Sequence, residues 1–130
     1  MNPPIFLAGL GAGLIAASHL TRGRKRYLTP MLRVPIDNLA KKTLQGVYHY
    51  LSSFLTLSAA VLLAVGAGYD FNSQAVWLVK FISINFALFT VVQVVIAATS
   101  DIPSAIKKMY QWTLFAFVAV FAWVGVVYAG

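Results

Sequence analysis

The stretch PIFLAGLGAGLIAASHL (residues 4–20) runs without a charge straight into TRGRKRYLTPMLRVPIDNLAKKT (residues 21–43). That order decides the fold. A secretory signal carries its basic region before its apolar core and is then removed. Here residues 1–21 hold no charged side chain and the basic run begins at Arg22. The apolar run therefore reads as a first membrane span, entered with its N-terminus outside and stopped by cations inside.

Three further apolar runs lie downstream, at 44–67, 75–98 and 109–128. About 20 helical residues cross a hydrocarbon core of about 30 Å, and each run is near that length. None alternates with period two, and their few polar residues recur at helical spacing, so the runs are helices rather than barrel strands. The whole composition agrees. Of 130 residues, 60% are hydrophobic and 10% charged, and the mean hydropathy is +0.80. Soluble domains are about 45–50% apolar and about 25% charged. Intrinsic disorder and a soluble nucleic-acid module are excluded on this ground. The expected class is an all-α membrane protein: one domain, 1–130, forming a four-transmembrane-helix antiparallel bundle.

Charge placement orients it. Ten Lys/Arg stand against three Asp and no Glu. Seven of the ten (Arg22, Arg24, Lys25, Arg26, Arg33, Lys41 and Lys42) fall in the gap 21–43, and Lys107 and Lys108 fall in the gap 99–108. In a four-span chain these two gaps share a side, and the positive-inside rule puts that side in the cytoplasm. Both termini are then outside. Tyr27, Tyr48, Tyr110 and Trp112 mark the inner boundary, and Tyr69, Phe71, Trp77 and Tyr128 the outer.

The gap 21–43 mixes apolar residues with Pro30 and Pro35 and reads as a cytoplasmic loop lying on the headgroups, with Leu28, Met31, Leu32 and Ile36 dipping inward. Asp37 reads as the N-cap of the second span. Gly66 and Gly68 end that span, and Asn72 or Ser73 caps the third. The short turn between them predicts that spans two and three are packed neighbours.

Polar residues inside hydrocarbon are the candidates for function. In span two, His49, Ser52, Ser53 and Thr56 share a helix face by their spacing, as do Gln45, Ala59 and Ala60, and this stripe is expected to face other helices. Asn85 and Gln93 in span three complete the cluster. His49 and Gln93 lie at similar depth, which suggests a contact that fixes packing or lines a pocket. Gln111 and Trp112 are close in depth and either join the cluster or anchor the interface. His19 and His49, on different spans, are the one pair that suggests two-helix ligation of a haem, or a quinone contact at His49 with Tyr48 or Tyr50. Gly9, Gly13 and Ala17 form a small-residue ridge in span one, expected to pack against span two or span four rather than a second copy. Lys80 is an isolated cation that snorkels outward or pairs with Asp70.

Several chemistries lack their residues. There is no cysteine, no paired intramembrane carboxylate, and no metalloprotease, P-loop or nucleophile-elbow motif. No catalytic residue, metal site or resident cofactor is expected. The stretch from Arg26 to His49, with Arg-Tyr-Leu-Thr-Pro-Met-Leu-Arg followed by Lys-Thr-Leu and Tyr-His, together with Gln111-Trp112, resembles small bacterial inner-membrane proteins of unknown function. The likeness covers most of the length. It implies a bacterial four-span protein of the inner membrane and supplies no activity. The leading expectation is a non-enzymatic accessory, assembly or scaffolding component that packs through helix faces and sets its basic loop on anionic lipid. Alternatives are a haem- or quinone-binding redox subunit and a minimal oligomeric channel or transporter. The partners expected are membrane lipids and either further copies or a larger membrane complex, with no nucleic acid.

Overall fold

The computed structural model describes residues 1–69 and 72–129. All regular structure among them is helical: α1 (Pro3–Ser18), a π-helical segment (His19–Leu28), α2 (Thr29–Arg33), α3 (Asn38–Gly66), α4 (Ser73–Ala98), α5 (Ala105–Lys108) and α6 (Gln111–Ala129). Four helices in the described residues are long and apolar enough to cross a membrane, Pro3–Arg33, Asn38–Gly66, Ser73–Ala98 and Gln111–Ala129. The chain is a multi-pass membrane protein.

The caps follow from side chains that satisfy the free N–H groups of a first turn. Asn2 Oδ1 accepts from Ile5 N at 3.2 Å, Asp37 Oδ2 from Ala40 N at 3.1 Å, and Asn72 Oδ1 from Ala75 N at 2.9 Å. Gly68, at φ +99°, takes the left-handed backbone that ends α3, a conformation that costs glycine nothing.

The basic gap departs most from expectation. Residues 21–33 are helix, not loop, and the chain breaks only at 34–37. The two prolines act differently. Thr29 N–H donates to Arg24 O, five residues back, so the π register hands over to α2 at this point. Pro30 follows directly, at the change of register, and the helix runs on through it to Arg33. Pro35 is the true breaker: Val34 before it is extended, at φ −69° and ψ 137°, as the residue preceding a proline prefers. Leu28 is buried in the protein at 3% exposure instead of dipping into headgroups, Met31 and Leu32 are half-buried, and Ile36 is exposed.

Packing also reorders the expected neighbours. α1 lies between α3 and α6, and α6 lies between α1 and α4, while α3 and α4 touch only sparsely. The short turn at 67–72 joins two helices in sequence without making them packing partners. What seats α1 is small residues against backbone. Gly66 lies against the Phe6 backbone, and a Cβ on Gly9 would stand 2.7 Å from Leu63 N. On the other side, a Cβ on Gly11 would meet the Phe117 ring at 2.9 Å, and Gly125 lies against Ile5 and Asn2. The three residues of the expected ridge lie in different surroundings. Gly9 is buried at α3, but Gly13 faces open space and Ala17 is exposed. Because α1 is gripped from two sides, its buried face is Ile5, Ala8, Ala12, Ile15 and Ala16, which leaves position 13 outside.

Asn2 ties three helices together at one end. Its backbone N–H donates to Gly66 O at 2.8 Å, and its Nδ2 donates to Gly125 O at 2.8 Å, in addition to the cap. Removing the side chain in Asn2→Ala deletes a cap and an interhelical bond. The expected loss is about 2 kcal/mol, read as a lower midpoint when the protein in mild detergent is titrated with a denaturing one.

Candidate functional site

The polar stripe of span two does not face its neighbours as a unit. Of His49, Ser52, Ser53 and Thr56, only Ser52 is buried. The inward face of α3 runs instead through Ser52, Leu55, Ser58, Ala59 and Leu62. The stripe's hydroxyls are spent on their own helix: Ser52 Oγ donates to Tyr48 O, Ser53 Oγ to His49 O and Thr56 Oγ1 to Ser52 O, at 3.0, 3.0 and 2.8 Å. Asn85 likewise donates to Phe81 O at 2.8 Å. Backbone carbonyls four residues back offer each group a partner at no cost in helix packing. With α3 and α4 apart, the expected His49–Gln93 contact does not form: His49 is exposed, Gln93 is half-buried, and no hydrogen bond joins them.

The polar contact that does cross helices deep in the bundle is Ser83 Oγ, buried, donating to Ala119 O at 2.7 Å. It joins α4 to α6. The sequence carries a signal for it, because a serine on one face with Ile82 and Phe86 must find a partner in an apolar core.

His19 does meet span two, but through Tyr48. The two rings stack at 4.0 Å with an interplanar angle of 18°. Tyr48 Oη donates to His19 O, and His19 Nε2 lies 3.3 Å from Tyr48 O. A carbonyl only accepts, so the imidazole proton sits on Nε2 and only Nδ1 keeps a lone pair. That nitrogen lies beside Gly23. One face of the ring and one nitrogen are thus occupied by Tyr48, and His49 is turned edge-on to the same tyrosine at 5.8 Å. Tyr48 thus stands against both imidazoles, and His49 is exposed while His19 is half-buried, so the structure does not bring the pair face to face across one space. Tyr50 is 73% exposed and does not close a pocket for a quinone.

Lys80 holds its ammonium 5.0 Å from the Trp77 ring centroid, one turn toward the start of α4. The ammonium thus leans toward the end of the bundle where α4 starts, in a cation–π contact. The other partner suggested for it, Asp70, lies outside the described residues, as does the boundary residue Phe71.

The cations collect at the opposite end. The π-helical segment presents Arg22, Arg24, Lys25 and Arg26 to the surroundings, and Arg33 and Lys42 are also exposed, with Lys41 half-buried. Gln111 Nε2 donates to Tyr27 Oη at 3.2 Å, which brings the start of α6, and with it Lys107 and Lys108, to the same end. Trp112 Nε1 donates to Ile106 O at 3.0 Å. Gln111 and Trp112 thus anchor this end and neither joins His49.

Between the π-segment, α3 and α6 the same end opens into a cavity of about 220 Å³. Its wall is cationic and polar (Arg22, Arg26, Tyr27, Tyr110, Gln111) and its floor apolar (Leu51, Leu55, Leu114, Phe115). No carboxylate lines it. Sequence reading missed it because the helical course of residues 19–33, invisible in composition, decides which cations line it.

No known protein family matches the chain, and no curated protein or solved structure is recognisably similar to it.

Proposed function

We propose that the protein is a non-enzymatic accessory or scaffolding component of a bacterial inner membrane: an antiparallel four-span bundle with both termini outside, seated by its basic end on anionic lipid of the cytoplasmic leaflet. One observation carries the reading. Nine of the ten Lys/Arg gather at one end of the bundle, against Asp37 and Asp101, and Asp37 is occupied as a helix cap. Each cation near an anionic surface contributes about 1 kcal/mol, so that end is strongly favoured on the negatively charged leaflet. The scaffolding part rests on the outward face of α4, where Trp77, Phe81, Ile84, Leu88 and Val92 are exposed to lipid or to a partner helix.

The chain has no cysteine, so single substitutions give clean reporters. A membrane-impermeant maleimide added to intact cells is expected to label Tyr69→Cys at once, and Arg24→Cys only after permeabilisation. Labelling of Arg24→Cys from outside would invert the topology and remove the lipid-seating role.

A further inference from the structure

The cavity at the basic end has the composition of a ligand site rather than of a packing gap. In the π-segment, hydrogen bonds reach five residues back and each turn is wider than in an α-helix. Its wall residues therefore recur as pairs at intervals of four: Ser18 with His19, Arg22 with Gly23, Arg26 with Tyr27. Arg22 and Arg26, one turn apart, both line the same opening, with no carboxylate among the lining residues to neutralise them. Arg26 is further steadied over the Tyr27 ring, at 5.9 Å from its centroid. Gly23 lets the π-segment close against α3: a Cβ there would stand 2.9 Å from Tyr48 Oη. At the rim, Tyr27 Oη accepts from Gln111, which leaves its own proton free to donate. Paired guanidiniums with a hydroxyl donor form a phosphate cradle.

The floor adds the second requirement. Leu51, Leu55, Leu114 and Phe115 lead from the cationic rim toward the apolar interior of the bundle. A soluble anion has no use for such a floor, whereas a phosphate that carries a hydrocarbon chain does. Pockets for whole drug-sized ligands hold about 300–1,000 Å³. At about 220 Å³ this one fits a headgroup phosphate and the first carbons of a chain, the remainder staying in the bilayer.

We propose that this cavity is a specific binding site for an anionic phospholipid, its phosphate held by Arg22 and Arg26 and one acyl chain lying over Leu51, Leu55, Leu114 and Phe115. The site deepens the seating of the basic end on lipid and rests on that reading, but it demands more than diffuse attraction. One bound molecule is retained, and its retention depends on which cations are present rather than on how many.

The test uses the full chain in nanodiscs of equal phosphatidylglycerol and phosphatidylethanolamine, released and weighed by native mass spectrometry, each variant first checked for a monodisperse elution profile. The wild type is expected to retain one phosphatidylglycerol. The double variant Arg22→Ala/Arg26→Ala is expected to lose it at least about tenfold. Arg24→Ala/Lys25→Ala removes equal charge from the same turns and is expected to retain it within about twofold. Leu114→Trp, which fills the floor and leaves the charge alone, is expected to expel the lipid. Inorganic phosphate at millimolar concentration is expected not to displace it. Equal loss in the two charge variants would overturn the site while leaving the basic end's general attraction intact. Retention in Leu114→Trp would equally overturn it, and displacement by inorganic phosphate would identify the ligand as a soluble anion instead. Maleimide accessibility fails or succeeds independently of all four results.

Discussion

Leucine in place of Gly66 is expected to separate α1 from α3 and abolish the folded bundle, while leucine in place of Gly13 leaves it intact. On intrinsic propensity the two changes act alike, since leucine favours a helix over glycine by about 1 kcal/mol. Packing separates them. A Cβ at Gly66 falls on the backbone of Phe6 and stands 2.9 Å from that residue's Cβ, whereas one at Gly13 meets nothing within 4 Å. Overpacked side chains cost about 1–3 kcal/mol when neighbouring rotamers can give way. Here the obstacle is main chain, so the helices themselves must part, and the expected cost exceeds about 3 kcal/mol. Detergent-denaturation midpoints of the two variants measure the difference directly. A midpoint for Gly66→Leu equal to that of Gly13→Leu would mean that α1 and α3 do not meet in this register.

Phe86→Ala is expected to release α4 from α3 while weakening its hold on α6. Phe86 is fully buried, at 0% exposure, and its ring lies 6.2 Å from Phe54 of α3 and 6.0 Å from Phe115 of α6. Phe89 closes the cluster at 5.6 Å from Phe54 and 5.7 Å from Phe115. Because α3 and α4 touch little elsewhere, these rings are their main link. In water-soluble proteins Phe→Ala costs about 3–5 kcal/mol, part of it the transfer of the ring out of water. In lipid the separated helices stay in hydrocarbon, so that part is absent and lost packing remains. The expected cost is about 2–3 kcal/mol, with the aromatic pair terms included. Restoring bulk as Phe86→Leu should recover about half of it. An unchanged midpoint for Phe86→Ala would show that the cluster carries no association energy.

The four apolar helices were legible because bilayer thickness sets their length and hydropathy marks it. Caps were legible too: Asp37 and Asn72 are short acceptor side chains ahead of the second and third spans, and each accepts the N–H three residues on. Neighbour order was not legible. The brief turn after Gly66 suggested that α3 and α4 pair, but pairing is decided by where backbones can approach, and the glycines that permit it lie at positions 9, 11, 66 and 125, on three different helices. The polar stripe of α3 misled for a related reason. In hydrocarbon a hydroxyl must bond somewhere, and the carbonyl one turn back satisfies it without any neighbour, so Ser53 and Thr56 carry no information about what they face. The cavity stayed hidden because a proline in a basic stretch reads as a break. Pro30 instead sits where the wide turns of the π-segment end, and Arg22 and Arg26 before it share the side that lines the cavity.

The place of α1 between α3 and α6 bears on how the protein is made. Of the four spans, the first to be synthesised has one of its two partners in the fourth, with Asn2 reaching Gly125 across the three spans made after it. During synthesis α1 can dock on α3 but must keep its other flank unsatisfied, with Gly11 exposed, until α6 is delivered. Membrane insertion and tertiary closure are thereby uncoupled. An interrupted translation product that ends before Gln111 would hold its spans in the bilayer, yet present quality-control proteases with a half-covered first helix.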